Sequence, residues 1–490
     1  MVYIYQFGQK CKEFKVLALF LLLVATNSPA ANRYWIANTA GSWHDPANWA
    51  TTSGGAGGSS IPNLADIAVF DVNGSGDCII SADMMVDGLH MLSGFAGNVS
   101  ASGNPIITIA NSGFVQQSGS FYGASAFIEV LSPVVLTGGV FISSDDMLRI
   151  GGQYMNDQTI FSQSGTNVFL PNYGTVAFCP DGGCEPMRFT ITSNNNTVFN
   201  KVFAEAQSSC SPATPSTLEV SNGSMIRVSG ELHHNDGILN GQWSCNGDLF
   251  VNAAADAGVG TITFAGAQMQ SYYRLSGAGS TCRIVIDKTG GMVLPGSTTS
   301  DFAVNAFALI NGDFQMPSDT FYIEGIHTGG DTIFTQRNGI IDHNEGWVAF
   351  VGYDTAQSYV SAQISGSNIN LNNVALMAAP SPETFVLQIA SSGTLHIENT
   401  LVLGNGSLVD GTLILEGDIF VEPGFTSSNS TVVFTGNNTQ IVDLSTNTSA
   451  LNGNITINKS ASDVLLSSPL TLDASGQSIV FTSGILQTNS

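Results

Sequence analysis

Along most of the chain, apolar and polar residues alternate in runs of four to six, broken by Asn-Gly, Asp-Gly or Glu-Gly pairs. Residues 394–421, TLHIENTLVLGNGSLVDGTLILEGDIFV, show the pattern well. A period of two puts successive side chains on opposite faces of a strand, and the Gly/Asn breaks are turn chemistry. Beyond the leader at 1–30, no stretch carries the 3.6-residue period of an amphipathic helix. The pattern predicts an all-β chain.

The pattern also recurs at long range. Phe178 ends TVAF, Phe264 ends TITF, Phe350 ends WVAF and Phe434 ends TVVF, and the steps between them are nearly equal. Three of them continue as F-x-G, through Gly266, Gly352 and Gly436, and all four phenylalanines are expected to point into the core at corresponding coils. The segment GQWSCNGDLFV at 241–251 returns two such steps later as GTLILEGDIFV at 411–421. Lys201, Lys288 and Lys459 follow Phe178, Phe264 and Phe434 at nearly one fixed interval. A residue that recurs at one place in several units serves the coil, and an exposed corner is the expected place for these lysines.

The repeating unit is about 85 residues long, and two architectures fit it. Tandem β-sandwich domains need about seven strands in ~100 residues with long connections. A right-handed parallel β-helix, or β-solenoid, needs short strands in stacked coils with tight corners. The short Gly/Asn breaks favour the solenoid. Coils of ~21 residues stacked ~4.8 Å apart would make a rod of roughly 100 Å. The expected organisation is a signal peptide at 1–30, a Trp-rich cap at 31–71 and first coils at 72–174. Repeats follow at 175–260, 261–345 and 346–430, with an incomplete one at 431–490. The last unit stops short of its predecessors, so a fragment, or an open end that needs a partner, is expected.

The signal peptide is read from Lys10, Lys12 and Lys15, the apolar run 16–25, and small residues at 28–31 that allow cleavage after Ala30 or Ala31. That run is too short to span a bilayer, which takes about twenty apolar residues. No later stretch approaches that length, so a secreted chain with no transmembrane segment is expected.

Charge narrows the function classes. Only 10% of the chain is charged and the net charge is −24, which excludes attraction to a phosphate backbone and hence nucleic acid. Six cysteines follow the leader, an even number that suits disulfides in an exported protein. Cys179 and Cys184 bracket a Pro-Asp-Gly-Gly turn and are the candidate pair. No paired Cys/His spacing suggests zinc, and no metal or cofactor is expected. Calcium has bulk acidity in its favour and no residue to assign. No catalytic residue is singled out: Asp145 and Asp146 are adjacent on the chain and would point to opposite faces of a strand. Trp35, Trp43 and Trp49 crowd the start of the mature chain. They make either a lid over the first coil, the preferred reading, or a ligand-binding platform for sugar rings.

Around those tryptophans the chain carries Tyr34-Trp35, Gly41-Ser42-Trp43, Asp45-Pro46, Trp49, a Gly-rich run at 53–58, Pro62, Asp66 and Phe70-Asp71. This pattern, with the F-x-G units in which Gln270 and Gln440 lie at one offset past their Phe, resembles secreted or cell-surface β-helix repeat proteins of Bacteroidota. The resemblance implies an extracellular, adhesin-like protein. Many of that family leave by the type IX route on a C-terminal sorting domain, where this chain ends in a repeat strand, VFTSGILQTNS. The expected function is structural or adhesive, without catalysis, with glycans or other surface proteins as partners. The alternative is a carbohydrate-active β-helix, either a polysaccharide lyase or glycoside hydrolase, or a glycan-binding module.

Overall fold

The computed structural model describes residues 30–490 apart from 195–196, 209–214, 276, 278, 326–330, 353–358, 367–368, 379–383, 445–446 and 489–490. The expected signal peptide, save Ala30, lies outside the described residues, as does Cys210. Every described element is a β-strand except one 3-10 turn at Pro46–Asn48. No helix among the described residues is long and apolar enough to cross a membrane. The chain forms two compact units, one running to Gly237 and one from Ile238.

Among the strand pairs whose direction is described, one short pair near the start is antiparallel and the rest run parallel, each strand pairing with those one coil before and after. In the first unit Ile107, Ile128, Leu148, Val176 and Val202 stand in register on successive coils, all buried. A second sheet stacks Phe121, Phe141 and Phe169 one above another, with ring centroids 5.1 and 5.5 Å apart and planes within 16° and 8° of parallel. Identical residues on successive coils meet face to face because parallel register puts one directly over the next. In the second unit Phe302, Phe321, Val348, Val374, Leu401 and Ile419 form the corresponding inward column. Burying each such side chain contributes about 2 kcal/mol. The strand Thr394–Leu403 shows how the sequence does this: Leu395, Ile397, Leu401 and Leu403 point in, and the alternation is interrupted once, at exposed Asn399, where the coil turns.

Phe178, Phe264, Phe350 and Phe434 are all buried, as expected. Within the second unit, however, Phe264 lies in one sheet while Phe350 and Phe434 lie in another, an eleven-stranded sheet. The expectation of corresponding positions is corrected there. Coils in this unit are unequal in length: Thr400 is stacked with Asp418, whereas the longer coil after Phe334 returns only at Ile364. A fixed step along the chain is therefore not a whole number of turns.

Candidate functional site

The three tryptophans are packed against one another. Trp35 and Trp49 meet edge-on at 5.2 Å, Trp43 and Trp49 at 4.9 Å, and Phe70 lies 5.7 Å from Trp49. All three are buried, and the indole N–H groups of Trp35 and Trp49 donate to the carbonyls of Gly76 and Trp43. An indole that stacks on a sugar must show its face to solvent, and none of these does. The ligand-binding reading of Trp35, Trp43 and Trp49 is therefore corrected: they are core. The surrounding motif holds them there. Asp45 caps the 3-10 turn through the Ala47 N–H at 2.9 Å, and buried Asp66 accepts from Asn63 and lies 3.4 Å from Arg33. The strand Ala31–Trp35 is paired antiparallel by Trp49–Ala50, which closes its edge.

The expected Cys179–Cys184 disulfide does not form. Cys184 is disulfide-bonded, whereas Cys78, Cys179, Cys245 and Cys282 are buried thiols. Cys179 belongs to the strand Thr175–Asp181, in register with Gly151, and the Gly-Gly turn begins only after that strand ends. The strand, not the turn, aims the side chain. Its Sγ donates to Glu205 Oε2 at 3.8 Å and packs with Met147 and Ala177 beneath Phe127 and Phe203. Burial pushes the Cys282 thiol up to about 12 and that of Cys78 well above its usual value.

The lysines overturn a second expectation. Lys288 and Lys459 are 3% and 1% exposed, not at exposed corners. Lys288 Nζ donates to Gln268 O at 2.7 Å and to Gln270 Oε1; Lys459 Nζ donates to Thr435 O at 3.1 Å, to Asn438 O and to Gln440 Oε1 at 2.8 Å. Each glutamine in turn donates to two turn carbonyls, Gln270 to Cys245 and Gly247, Gln440 to Leu415 and Gly417, at 2.7 to 2.9 Å. Burial lowers both lysine pKa values. A glycine of the next coil covers each: Gly312 at φ +91 and Gly484 at φ +96, where a Cβ would come within 2.9 and 2.6 Å of the lysine Cβ. Lys201 differs. It is partly exposed, and its ammonium lies 2.7 Å from Glu231 Oε2.

A minority of the acidic residues pair with a cation or a histidine, several of them across coils. Glu231 also accepts from His233 Nε2 at 2.9 Å, and these bonds, the histidine's first, hold its carboxyl down at about 2. Burial lowers His233, and lowers fully buried His234, whose Nε2 lies 2.7 Å from Gly237 O, to about 4. Glu129 and Arg149 pair under cover, and His343–Glu398 and His396–Glu416 pair at 3.2 and 3.1 Å. Burial raises the carboxyls of Asp256 and Glu324. Among the described residues no three His, Cys, Asp or Glu side chains converge as metal ligands, so calcium keeps no assigned residue.

Outward from the eleven-stranded sheet runs a regular face of Thr, Ile and Val side chains, with His396 at one end. Thr394, Thr412 and Thr431 stack on successive coils, and beside them stack His396, Ile414, Val433, Thr456 and Val480. Their inward neighbours Leu395, Leu413, Val432 and Ile455 are buried, so these side chains point to solvent by alternation, and Val480 is 51% exposed. No family model, curated protein or solved structure matches the chain.

Proposed function

We propose that the chain is a secreted or cell-surface, adhesin-like β-solenoid that binds glycans or other surface proteins by extended contact and turns nothing over. In this reading the coils are those of a right-handed parallel β-helix, and the long sequence repeat is its evolutionary unit. The observation that carries it is the ladder of Thr, Ile and Val side chains on the outer sheet face. Hydroxyls and methyls set at the ~4.8 Å spacing of stacked strands offer hydrogen bonds and apolar contact over many small steps. A chain of net charge −24 repels polyanions and so favours neutral partners.

The test is retention of the purified mature chain on insoluble polysaccharides and on glycan arrays. Retention without release of reducing ends is expected, and it should weaken in the double variant Ile414→Lys with Val433→Lys at unchanged melting temperature. Full retention by that variant would refute contact through this face. One observation favours an enzyme instead: Glu324 and Asp256 have carboxyls raised by burial, as a general acid requires. Release of reducing ends that vanishes in Glu324→Gln or Asp256→Asn would establish that reading and end the adhesive one.

A further inference from the structure

Of the five tryptophans, Trp35, Trp43, Trp49 and Trp243 are buried. The indole N–H groups of Trp35, Trp49 and Trp243 each donate to a backbone carbonyl. Trp347 is the exception: it is half-buried and, among the described residues, its indole N–H has no partner. The coil does not require an indole there. The segments that end at Phe178, Phe264 and Phe434 begin with Thr175, Thr261 and Thr431, where the one that ends at Phe350 begins with Trp347. A threonine serves that place in the coil, so the tryptophan answers another demand.

Alternation sets its direction. Val348 and Phe350 point inward and are buried, as are Phe321 and Ile323 on the coil before, so Trp347, Tyr322 and Glu324 all project from the outer face of the eleven-stranded sheet. Tyr322 stands in register with Ala349, and Ala349 with Ala375. Trp347 precedes Ala349 by two positions, which makes it a diagonal neighbour of Tyr322, about 8 Å away and within reach of an aromatic side chain. Ala349, Val351 and Ala375 form one cluster, and Tyr322, Trp347 and Val402 pack against it. A methyl group on an outer sheet face does not bury itself; Ala349 and Ala375 are 2% and 4% exposed because the larger side chains lie down across them. A ring lying flat on a sheet turns one face to the protein and the other to solvent, and both aromatics are accordingly half-buried. Among the described residues neither stacks on another ring, and neither the Tyr322 hydroxyl nor the half-buried Glu324 carboxylate has a hydrogen-bond partner. One patch thus carries two upturned rings and three polar groups that the protein leaves unpaired.

We infer that the outer faces of Trp347 and Tyr322 form a stacking platform for one sugar ring of a neutral, β-linked glycan with equatorial hydroxyls, which bond to Glu324, the Tyr322 hydroxyl and the indole N–H. This deepens the glycan-binding reading above and rests on it. The ligand lies on top of the rings, not down on the alanines beneath them. Equatorial hydroxyls leave the ring C–H groups as a flat apolar face that an aromatic plane covers, while each aromatic keeps a polar tip for the sugar's edge. Glu324 and the net charge of −24 both repel an acidic substituent, which selects a neutral sugar. Two rings and a carboxylate fall far short of the ~800 Å² per side that a stable protein interface covers, so the occupant is small.

The experiment titrates the mature chain, and its Trp347→Thr and Tyr322→Ala variants, by calorimetry with cellohexaose, chitohexaose and hexagalacturonate. Trp347→Thr installs the residue of the other units, so its melting temperature should not change. Binding of at least one neutral hexaose, none of hexagalacturonate, and about a tenfold loss in each variant are expected, the scale of one aromatic stacking contact. Tryptophan fluorescence should shift on binding in the parent chain and not in Trp347→Thr, because the other four indoles are buried. If a neutral hexaose binds the variants as tightly as the parent, or polysaccharide retains the chain while no hexaose binds, the platform is wrong and the glycan reading stands. If nothing is bound or retained, both fall. If hexagalacturonate binds as tightly as a neutral hexaose, the neutral ligand is wrong. If no sugar binds and Trp347→Thr converts a dimer to a monomer in light scattering, the patch covers a second copy and the inference is overturned.

Discussion

A lysine that reaches three acceptors with its three N–H groups needs no carboxylate, and Lys459 does this inside the protein with Thr435 O, Asn438 O and Gln440 Oε1. Removing the ammonium leaves those oxygens buried and unpartnered, which costs far more than the net gain of making the bonds. Lys459→Met should lower unfolding stability by about 3 kcal/mol, measured by denaturant titration, and Gln440→Leu in the same background should restore part of it. An unchanged midpoint for Lys459→Met would show that the cradle is not a latch. His234 works in the opposite sense. The folded protein holds it neutral, with a pKa of about 4 against 6.5 for the free side chain. The unfolded chain therefore binds the proton first, and stability present above pH 6.5 is lost as pH falls toward 4. The loss should reach about 3 kcal/mol. Thermal melts from neutral pH down to the folded-state pKa check it, and His234→Gln should flatten the slope.

Strands here are held by what stands above and below them. The Trp35, Trp43, Trp49 and Phe70 cluster closes the first coils, with the antiparallel segment Trp49–Ala50 on the strand edge. Trp49→Ala should cost about 3–5 kcal/mol, and hydrogen exchange should show the loss at Ala31–Trp35 before strands farther along the first unit. Equal loosening everywhere would mean the cluster is not a local cap. The coil corners impose a different demand. Gly312 needs a positive φ and lies against the Lys288 side chain, so Gly312→Ala strains the backbone and displaces the latch together. Its expected cost of about 2 kcal/mol should exceed that of an alanine at Gly290, whose neighbours are ordinary van der Waals contacts at 3.7 Å and beyond.

For the molecule as a whole, charge and surface pattern act together. With 13 basic against 37 acidic residues the chain repels polyanions, and the outer face of the eleven-stranded sheet offers a partner mainly hydroxyl and methyl groups. Binding through such a face depends weakly on ionic strength, because few counterions are displaced. Retention on a neutral polysaccharide should change less than about threefold between roughly 0.05 and 0.5 M salt. A steep salt dependence of the neutral-glycan retention would place the contact on charged residues instead.

The all-β class and the inward run of apolar residues were legible in the chain because a period of two is written locally, residue by residue, as in Thr394–Leu403. The buried placement of Phe178, Phe264, Phe350 and Phe434 was legible for the same reason. Which side chains meet across coils was not. Cys179 and Cys184 look like a pair along the chain, yet strand register sends the first toward Glu205. Lys288 looks like a corner residue, yet it is roofed by Gly312 and tied to Gln270. Unequal coil lengths decide these meetings. That information is held in the stacked structure, not in any local stretch of sequence.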